Sequence, residues 1–546
     1  MLLVCPYAAH VNLRRFQIVS AMLCGALLSL SINAHAQSGA NVTTYHSDVL
    51  RSGQNLHETV LTPALVQVNT FGKLFSQPVD GQIYGEPLVL ANLEIPGKGL
   101  HTVVYVATEN DSVFAFDGNN NTGSNSTPLW QVSFINPAKG ITTVPSSDLG
   151  TDAIYPQIGI TGTPVIDPNN QTLYVVAATK ENGTYVQRLH ALSVTTGAEK
   201  FGGPVVIAVT VKGTGSGSSG GNLSFDPFRS NQRPALLLLN GGIYIAWSSH
   251  GLENEFTYHG WVIGYSETTL KQTAAYCLTA NGDQGGVWES GDGLAADTLG
   301  NIYFMSGNGT FDANTGGEDY GMSYVKLSTK KGLSVADYFT PYNESEESSE
   351  DLDLGSGGAL LLPYLNGAKY PYLAIGAGKD GNMYVVNRSN MGHFNASGNT
   401  QIVQTISNAF AGHGMYSTPA YWQGYLYFWA PNDVLRIFQI VDGLVTATPV
   451  ATGTITFGSP GATTVVSSNN GSSGIVWAIQ PAGYATGAPA ILYALNALTA
   501  AQLYNSTQAG TRDTAGPAIK FTPPTVANGK VYVPTASELD VYGLLP

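Results

Sequence analysis

One phrase recurs along almost the whole chain: a Thr-Pro or Gly-Pro entry, a strand that contains an aromatic residue, a short turn, and a second strand. Its clearest copies are residues 103–117, 163–197, 359–387, 418–443, 475–495 and 522–542. A unit of about 45 residues with four short strands is typical of a propeller blade, which cannot bury its faces alone and stacks on its neighbours. The repeat therefore predicts an all-β propeller.

The number of blades follows from the positions at which the phrase starts. These entries are Pro87, Pro164, Pro234, Leu294, Leu360, Pro419, Ala462 and Pro524. The last unit, residues 522–545, supplies only about three strands, and the early strand 73–79 has no blade of its own. Pairing the two would close the ring without free edges. We therefore expect one eight-bladed propeller of four-stranded antiparallel blades over residues 71–546, preceded by a lead-in over residues 37–70.

The first residues have the pattern of a targeting sequence. Arg14 and Arg15 precede an apolar run over residues 16–30, and Ala-His-Ala at 34–36 is an A-x-A cleavage site. The apolar run is too short to span a bilayer. Residues 1–36 are therefore predicted to be a signal peptide, and the mature protein is expected to be secreted or periplasmic without membrane insertion.

Charge narrows the classes of ligand. The chain has 23 basic and 37 acidic residues and a net charge of −14, and loss of residues 1–36 removes two arginines and no acid. A strongly acidic chain argues against nucleic acid, whose phosphates need a basic surface. It favours a cation, a neutral polyol or a basic partner. Only Cys277 remains in the mature chain, so no intramolecular disulfide is expected.

Residues that interrupt the repeat, most of them polar, are the candidates for chemistry. They follow strands or lie between blades, where carboxylate and amide oxygens could bind a hard cation beside an aromatic plane and a positive charge. They are Glu181, Trp288, Asn308, Asp351, Asp353 and Lys379. Each also has a structural interpretation, as a packing aromatic, a turn residue or part of a solvated acidic loop over residues 343–353.

These motifs resemble those of the quinoprotein alcohol dehydrogenases, eight-bladed propellers that use pyrroloquinoline quinone. Trp288 in GGVWES matches the family's tryptophan below the quinone, and Asn308 matches a metal-binding asparagine. Glu181, which follows the ITGTP entry, would be the metal-binding glutamate, and Thr161 in that entry would contact the cofactor. Asp351-Leu352-Asp353, before KDGNMYVVNR, matches the segment that carries the catalytic aspartate.

The resemblance implies a mechanism and a cofactor set. Asp351 would be the base. Asp353 would be an additional acidic metal ligand, as in the lanthanide-type enzymes of the family, and Lys379 would be the positive contact to the quinone. The implied cofactors are pyrroloquinoline quinone and Ca²⁺ or a lanthanide, and the implied substrate is an alcohol or a sugar. No CxxCH haem motif is present.

The chain also departs from that family. It lacks the adjacent cysteine pair that covers the cofactor and the tryptophan of the W-D-x-D segment. A similarity to secreted PQQ-like repeat proteins covers nearly the whole chain but implies no activity. Two further functions stay open: a non-catalytic propeller that binds a ligand or protein on its loop face, and a lyase or hydrolase that uses axial carboxylates.

Overall fold

Strand sequences in this chain are apolar on both faces because each blade is packed between two others. The segment Gly99–Ala107 ends in VVYVA, whose five side chains are all buried. The next strand, Ser112–Asp117, is buried throughout, and Asp111 makes the turn between them with a φ of 54°. Aspartate tolerates this left-handed conformation better than most residues. The tight turn at Asp111 therefore lets the two strands pair, and both faces of the pair are apolar.

The computed structural model describes residues 40–150, 153–250 and 257–546. The predicted signal peptide, residues 1–36, lies outside these ranges. The described residues form eight antiparallel blades around an axis, which confirms the predicted fold class. The predicted entries each lie at or shortly before the innermost strand of a blade.

Four strands, here called A to D from the axis outward, make each blade. In blades 1 to 4 they are Leu88–Ile95, Gly99–Ala107, Ser112–Asp117 and Trp130–Ser133; Val165–Asp167, Thr172–Glu181, Thr184–Ser193 and Val205–Val206; Leu237–Leu239, Gly242–Ser249, Trp261–Ser266 and Gln272–Cys277; and Ala295–Ala296, Asn301–Met305, Tyr324–Ser328 and Ser334–Thr340. In blades 5 to 8 they are Leu360–Leu361, Leu373–Ala377, Met383–Asn387 and Gln404–Ile406; Ala420–Trp422, Tyr425–Phe428, Arg436–Val441 and Ala451–Thr452; Val465–Asn469, Ser472–Gln480, Ile491–Asn496 and Gln502–Asn505; and Thr525–Ala527, Lys530–Pro534, Glu538–Leu544 and Phe71–Pro78.

Shorter elements decorate the ring. The additional strands are Gln54–Asn55, Ile141–Pro145, Gln157–Ile158, Thr210–Lys212, Asn222–Ser224, Ser230–Asn231, His393–Phe394 and Leu444–Val445. The α-helical turns are Ser146–Leu149 and Glu344–Ser349, and the 3₁₀ turns are Gly123–Ser126, Pro137–Lys139, Glu289–Gly291, Ala313–Thr315, Leu354–Ser356 and Gly510–Asp513. No helix in the described ranges is long and apolar enough to cross a membrane.

Hydrophobic contacts lie between blades rather than in one central core. Eight clusters of buried side chains each join two neighbouring blades, and together they run around the whole ring. Trp130 shows how neighbours dock: its indole N–H donates to the Val194 carbonyl at 2.9 Å, and Gly197 leaves room for the ring. The ring is therefore held by sequential blade-to-blade packing.

Blade 8 takes strands from both ends of the propeller. Phe71–Pro78 pairs antiparallel with Glu538–Leu544, and Lys73 Nζ lies 2.6 Å from Asp540 Oδ1 across the pair. The N-terminal strand is thus the outermost strand of the last blade. Pairing of this kind leaves no free sheet edge between the first and last blades.

Residues 42–58, here called the axial strap, circle the inner wall of the ring. Backbone hydrogen bonds join the strap to the A strands of blades 1, 2, 4, 5, 6 and 7 in order. Side chains complete the circuit: Arg51 Nη2 donates to Leu236 O of blade 3 at 3.4 Å, and Asn55 Nδ2 donates to Val526 O of blade 8 at 2.8 Å. The segment predicted only as a polar lead-in therefore satisfies backbone groups of the inner strands of seven blades and of Leu236, the residue before the inner strand of blade 3.

Two sets of loops lie at opposite ends of the axis. Because the strands within a blade are antiparallel, the B–C turns and the D-to-A connections share one end, here called the upper face. The A–B and C–D turns share the lower face. Glu181, Trp288, Asn308, Asp351, Asp353 and Lys379 all belong to loops or strand ends of the upper face.

Candidate functional site

A cavity of about 630 Å³ opens on the upper face near the axis. Its described lining comes from six D-to-A connections and from the B–C turns of blades 3, 4 and 5, which is why residues distant in sequence meet there. The described residues that line it are Ala153, Arg233, Tyr258, Gln284, Trp288, Ser290, Asn308, Ser348, Ser349, Asp351, Asp353, Ser356, Lys379, Tyr416, Lys520 and Phe521.

A connected polar network occupies the wall formed by blades 4 and 5. Asn308 Nδ2 donates to Asp351 Oδ1 at 2.9 Å, and the Asn308 backbone N–H donates to Asp353 Oδ1 at 2.7 Å. Lys379 Nζ bridges the two acids, at 2.9 Å from Asp351 Oδ1 and 2.6 Å from Asp353 Oδ2. The structure therefore brings together four of the residues predicted from sequence.

The two carboxylates of this network have different surroundings. The Asp353 side chain is 10% exposed, whereas that of Asp351 is 71% exposed. Burial raises the pKa of Asp353, and the Lys379 ammonium and the Asn308 N–H only partly offset this effect. For Lys379, burial acts to lower the pKa, but the two carboxylates outweigh it and raise the pKa above the usual lysine value. The ammonium is thus held firmly in its charged form.

The local chain path explains why Asp351 points to the cavity. The short helix Glu344–Ser349 ends just before it, and Asp351 then takes a φ of 59°. This left-handed residue turns the chain so that the Leu352 N–H donates to Glu347 O at 2.8 Å. Asp351 Oδ1 accepts both donors described above, and Oδ2 has no hydrogen-bond partner among the described residues.

Trp288 forms a half-buried aromatic surface of the same cavity. Two glycines allow the close approach: a Cβ on Gly307 would lie 2.4 Å from Asp353 Oδ1 and 3.2 Å from Trp288 Cδ1, and one on Gly286 would lie 3.1 Å from Trp288 Nε1. Neither space could hold a side chain without displacing the tryptophan or the aspartate. Gly307 of G-N-G and Gly286 of G-G-V-W are therefore needed for the close packing around Trp288 and Asp353.

Glu181 lies in a different cavity, although its loop is on the same face. Strand Thr172–Glu181 has ten residues, whereas the equivalent Asn301–Met305 has five. At 3.3 Å per residue, the tip of the blade 2 hairpin extends about 16 Å further. There Arg188 donates to the Glu181 carboxylate, with Nη2 at 3.1 Å from Oε2, and lowers its pKa. The structure does not bring Glu181 together with Asn308 and Asp353.

Thr161 is buried and is not among the described residues that line the cavity. It lies beside Glu109, whose carboxylate accepts the Gly159 N–H at 2.7 Å. Burial raises the pKa of Glu109 to about 7. The contact with a cofactor that the resemblance implies for Thr161 therefore has no counterpart in this geometry.

The oxygen atoms near Asn308 do not form a complete shell for Ca²⁺ or a lanthanide. Asn308 Oδ1 is buried without a hydrogen-bond partner and is one suitable donor. The Lys379 ammonium, however, lies between the carboxylates of Asp351 and Asp353, and Glu181 is elsewhere. Within residues 40–150, 153–250 and 257–546, no three acidic, histidine or cysteine side chains meet in an arrangement that could hold a metal. As built, this donor set does not fit a cation that needs six or more oxygens.

Several lining residues were missed from sequence, above all Arg233, Lys520 and Phe521. They lie in D-to-A connections, as Trp288 does, within five residues of the entries of blades 3 and 8. That spacing from an entry was the available signal, because each such connection returns the chain to the axis. They carry no motif that would have distinguished them from other loop residues.

Comparisons with known proteins support the fold. No family model and no curated protein matches the chain. Among solved structures, the quinohemoprotein alcohol dehydrogenase of Comamonas testosteroni matches with a TM-score of 0.58 and 14% identity, over 92% of this chain and 80% of that chain. A quinohemoprotein alcohol dehydrogenase of Pseudomonas putida HK5 matches with a TM-score of 0.54 and 13% identity, over 92% and 80%.

A europium-containing methanol dehydrogenase also matches, with a TM-score of 0.57 and 13% identity, over 93% of this chain and 99% of that chain. These three structures share the overall fold of this chain. At these identities the likeness shows the fold alone.

Proposed function

We propose that this chain is a quinone-dependent dehydrogenase of alcohols or sugars, with the upper-face cavity as its active site. The observation that supports the proposal is the meeting of Trp288, Asn308, Asp351, Asp353 and Lys379 in one cavity, although they come from four separate connections. A reaction centre needs an acid–base group, a fixed charge and a binding surface in mutual reach. These five side chains supply all three.

The residues fit a flat quinone such as pyrroloquinoline quinone. Trp288 offers an aromatic face, Lys379 offers a charged donor, and about 630 Å³ is in the usual range for a small-molecule site. A bound quinone would supply the acceptor for the hydride of the substrate C–H bond. Lys379 would hold an electronegative ring oxygen by charge-assisted hydrogen bonding.

Asp351 is the proposed base. Asn308 and Lys379 both donate to Oδ1, so they fix the orientation of the carboxylate. Oδ2 is then available for a substrate hydroxyl, and the exposed position of Asp351 gives a substrate access from solvent. Transfer of the hydroxyl proton to Oδ2 would accompany oxidation of the alcohol to a carbonyl.

Reconstitution tests this function. Purified protein is incubated with pyrroloquinoline quinone, in separate arms with Ca²⁺, La³⁺ or EDTA, and thermal stability and dye-linked oxidation of alcohols and aldoses are measured. We expect the quinone to raise the melting temperature, and Asp351→Asn to lower turnover by about 10²-fold or more while keeping that shift.

The matched control is Glu350→Gln, which removes an adjacent, exposed charge of the same loop and should leave turnover unchanged. Absence of both a thermal shift and oxidation in the wild-type protein would contradict the proposed function.

A non-catalytic propeller that binds a small molecule or a protein on this face is the second candidate. The bridging position of Lys379, together with the distant Glu181, favours it, because both reduce the capacity to hold a catalytic metal. Ligand-dependent stabilisation without turnover in any metal arm would support this candidate over the first.

We also propose that the protein works outside the cytoplasm, after cleavage between Ala36 and Gln37. The supporting observation is the n-region, apolar run and A-x-A site in the sequence. The propeller would then comprise residues 71–546, with the lead-in at 37–70. Mass spectrometry of the mature protein, and its distribution between cell fractions and medium, test the proposal.

A further inference from the structure

Two basic residues line the cavity away from the Asp351–Lys379 network. Arg233 comes from the connection between blades 2 and 3, and Lys520 from the connection between blades 7 and 8. In a ring of eight, blade 8 lies across the axis from blade 4, which carries Asn308. The cavity therefore has cationic side chains on more than one side.

Neither of these side chains has a carboxylate partner in the described part of the chain. Arg233 is only 6% exposed, yet its guanidinium forms no ion pair and donates no side-chain hydrogen bond to the described residues. Its Cζ lies 4.3 Å from the centroid of the Phe521 ring. Lys520 Nζ lies 5.1 Å from the ring of Tyr484 and 5.6 Å from that of Phe521. Lys379, in the same cavity, has two carboxylates within 3 Å.

The Arg233 guanidinium lines the cavity with no acceptor among the described residues, so its N–H donors are left to water or to a ligand. Glu109 is the carboxylate that acts on Arg233 electrostatically, but it lies beyond ion-pair distance, and burial raises its pKa to about 7. It therefore offsets the charge of Arg233 only in part. Contact with the Phe521 ring compensates modestly for the lost hydration.

Lys520 shows the consequence of this arrangement. Burial, together with the neighbouring charge of Arg233, lowers the pKa of its ammonium to about 8. An anion placed between the two side chains would remove the repulsion and supply the missing acceptors.

We propose that Arg233 and Lys520 form a carboxylate-binding subsite of the upper-face cavity. This proposal rests on the proposed function only because both use the same cavity. It requires that the ligand carry an acidic group that reaches Arg233 and Lys520. Two sources share this chemistry, the carboxylates of pyrroloquinoline quinone itself and the carboxylate of an acidic substrate such as a sugar acid.

Calorimetry of the full mature protein tests the proposal with three probes. Pyrroloquinoline quinone reports on the cofactor source, D-gluconate reports on the substrate source, and D-glucose is the uncharged counterpart of gluconate. We expect Arg233→Gln and Lys520→Gln each to weaken binding of a carboxylate probe by about 10-fold or more. Lys331→Gln, at an exposed turn of blade 4, should leave binding unchanged. Glucose binding, where present, should not respond to these variants.

The pH dependence separates a direct contact from a structural effect. Lys520 faces Arg233, Tyr484 and Phe521. Because the ammonium loses its proton near pH 8, carboxylate affinity should fall between about pH 7 and about pH 9 in the wild type, and Lys520→Gln should remove that fall. If Arg233→Gln does not fold, as judged by its melting curve, the proposal is tested with Lys520→Gln alone, because Lys520 is only half-buried.

Each result bears separately on the two proposals. Loss of quinone binding in the variants assigns the subsite to the cofactor, and loss of gluconate binding assigns it to the substrate. Gluconate binding that depends on Arg233 or Lys520, in a protein that shows neither a thermal shift with the quinone nor oxidation of alcohols and aldoses, supports the subsite and contradicts the dehydrogenase. Wild-type affinity in both variants, or no binding of either carboxylate probe to the wild type, overturns the subsite.

Discussion

Burial separates residues of the same acidic segment into different roles. Residues 343–353 contain six acids, a pattern that predicts a solvated loop. Glu346 and Glu350 are exposed as that pattern suggests, but Asp353 is buried against Lys379 and Glu347 is only 3% exposed. The sequence does not distinguish them, because which side of a short helix faces the protein depends on the loops packed against it.

Glu347 gives the stability of the protein a specific pH dependence. Its Oε1 accepts Asn343 Nδ2 at 3.0 Å, whereas Oε2 is buried without a partner. Burial, followed by the nearby Asp380 charge, raises its pKa to about 8. The folded state therefore keeps a proton that an unfolded glutamic acid releases near its usual pKa of about 4.5, so this contribution to stability is complete below that value and is lost as the pH rises through about 8.

We therefore expect Glu347→Gln to be more stable than the wild type at pH 8 by about 1–3 kcal/mol, and to differ little at pH 5. Urea unfolding of both proteins at the two pH values measures the difference. Glu346→Gln, on the exposed side of the same helix, should show no such pH-dependent difference. A Glu347→Gln variant that is equally stabilised or destabilised at both pH values would contradict this assignment.

At the level of elements, the axial strap supplies hydrogen-bond partners to the inner strands of the blades. Inner strands expose backbone groups toward the axis, and the strap accepts or donates hydrogen bonds to them in ring order. Arg51 is its most connected side chain. It is fully buried and donates to the Gly293 and Leu294 carbonyls at 3.3 and 3.1 Å and to Thr44 Oγ1 at 2.7 Å. It also lies near the buried carboxylates of Glu289 and Asp292.

Replacing Arg51 with Met should lower the free energy of unfolding by about 3–5 kcal/mol, because it leaves several carbonyls and the Thr44 hydroxyl buried without their donor. Arg188→Met is the comparison, since its side chain is 27% exposed and, among the described residues, forms an ion pair only with Glu181 in the projecting hairpin. We expect that change to cost about 1 kcal/mol or less. Denaturant unfolding measures both, and similar losses in the two variants would show that the strap does not have this role.

For the whole molecule, the sequence predicts the ring better than the site. Blade entries such as Pro87 and Pro164 are local features, and each strand that follows is apolar because it is packed on both faces. The grouping of Asn308, Asp351 and Lys379 was also predictable, since all three lie in loops of adjacent blades. What could not be predicted was the length of the blade 2 hairpin, which carries Glu181 away from the cavity.

Long-range approach across the axis was equally inaccessible from sequence. Arg233 and Lys520 are separated by almost three hundred residues and meet only because the ring closes. Their lack of partners is a property of the folded cavity, and no local motif reports it. Closure of the ring is therefore a condition for the carboxylate subsite as well as for stability.

Closure depends on the strand Phe71–Pro78, whose first residue packs into the cluster between blades 7 and 8. Phe71 is fully buried, and its ring centroid lies 5.6 Å from that of Trp477 and 4.9 Å from that of Tyr504. The N-terminal strand is thus held by ring packing as well as by its pairing with Glu538–Leu544.

Phe71→Ala should therefore loosen the closure before it unfolds the ring. The cavity left by a buried phenylalanine costs about 3–5 kcal/mol, and here the loss falls on contacts between the two ends of the propeller. Hydrogen exchange measured by mass spectrometry should show residues 71–78 and 538–544 losing protection ahead of the other blades. Phe438→Ala, at a fully buried site in blade 6, removes the same side chain without touching the closure and should leave those two strands protected. Equal loss of protection at the closure in both variants would mean that the ring opens as a single cooperative unit, with no weaker point where the ends of the chain meet.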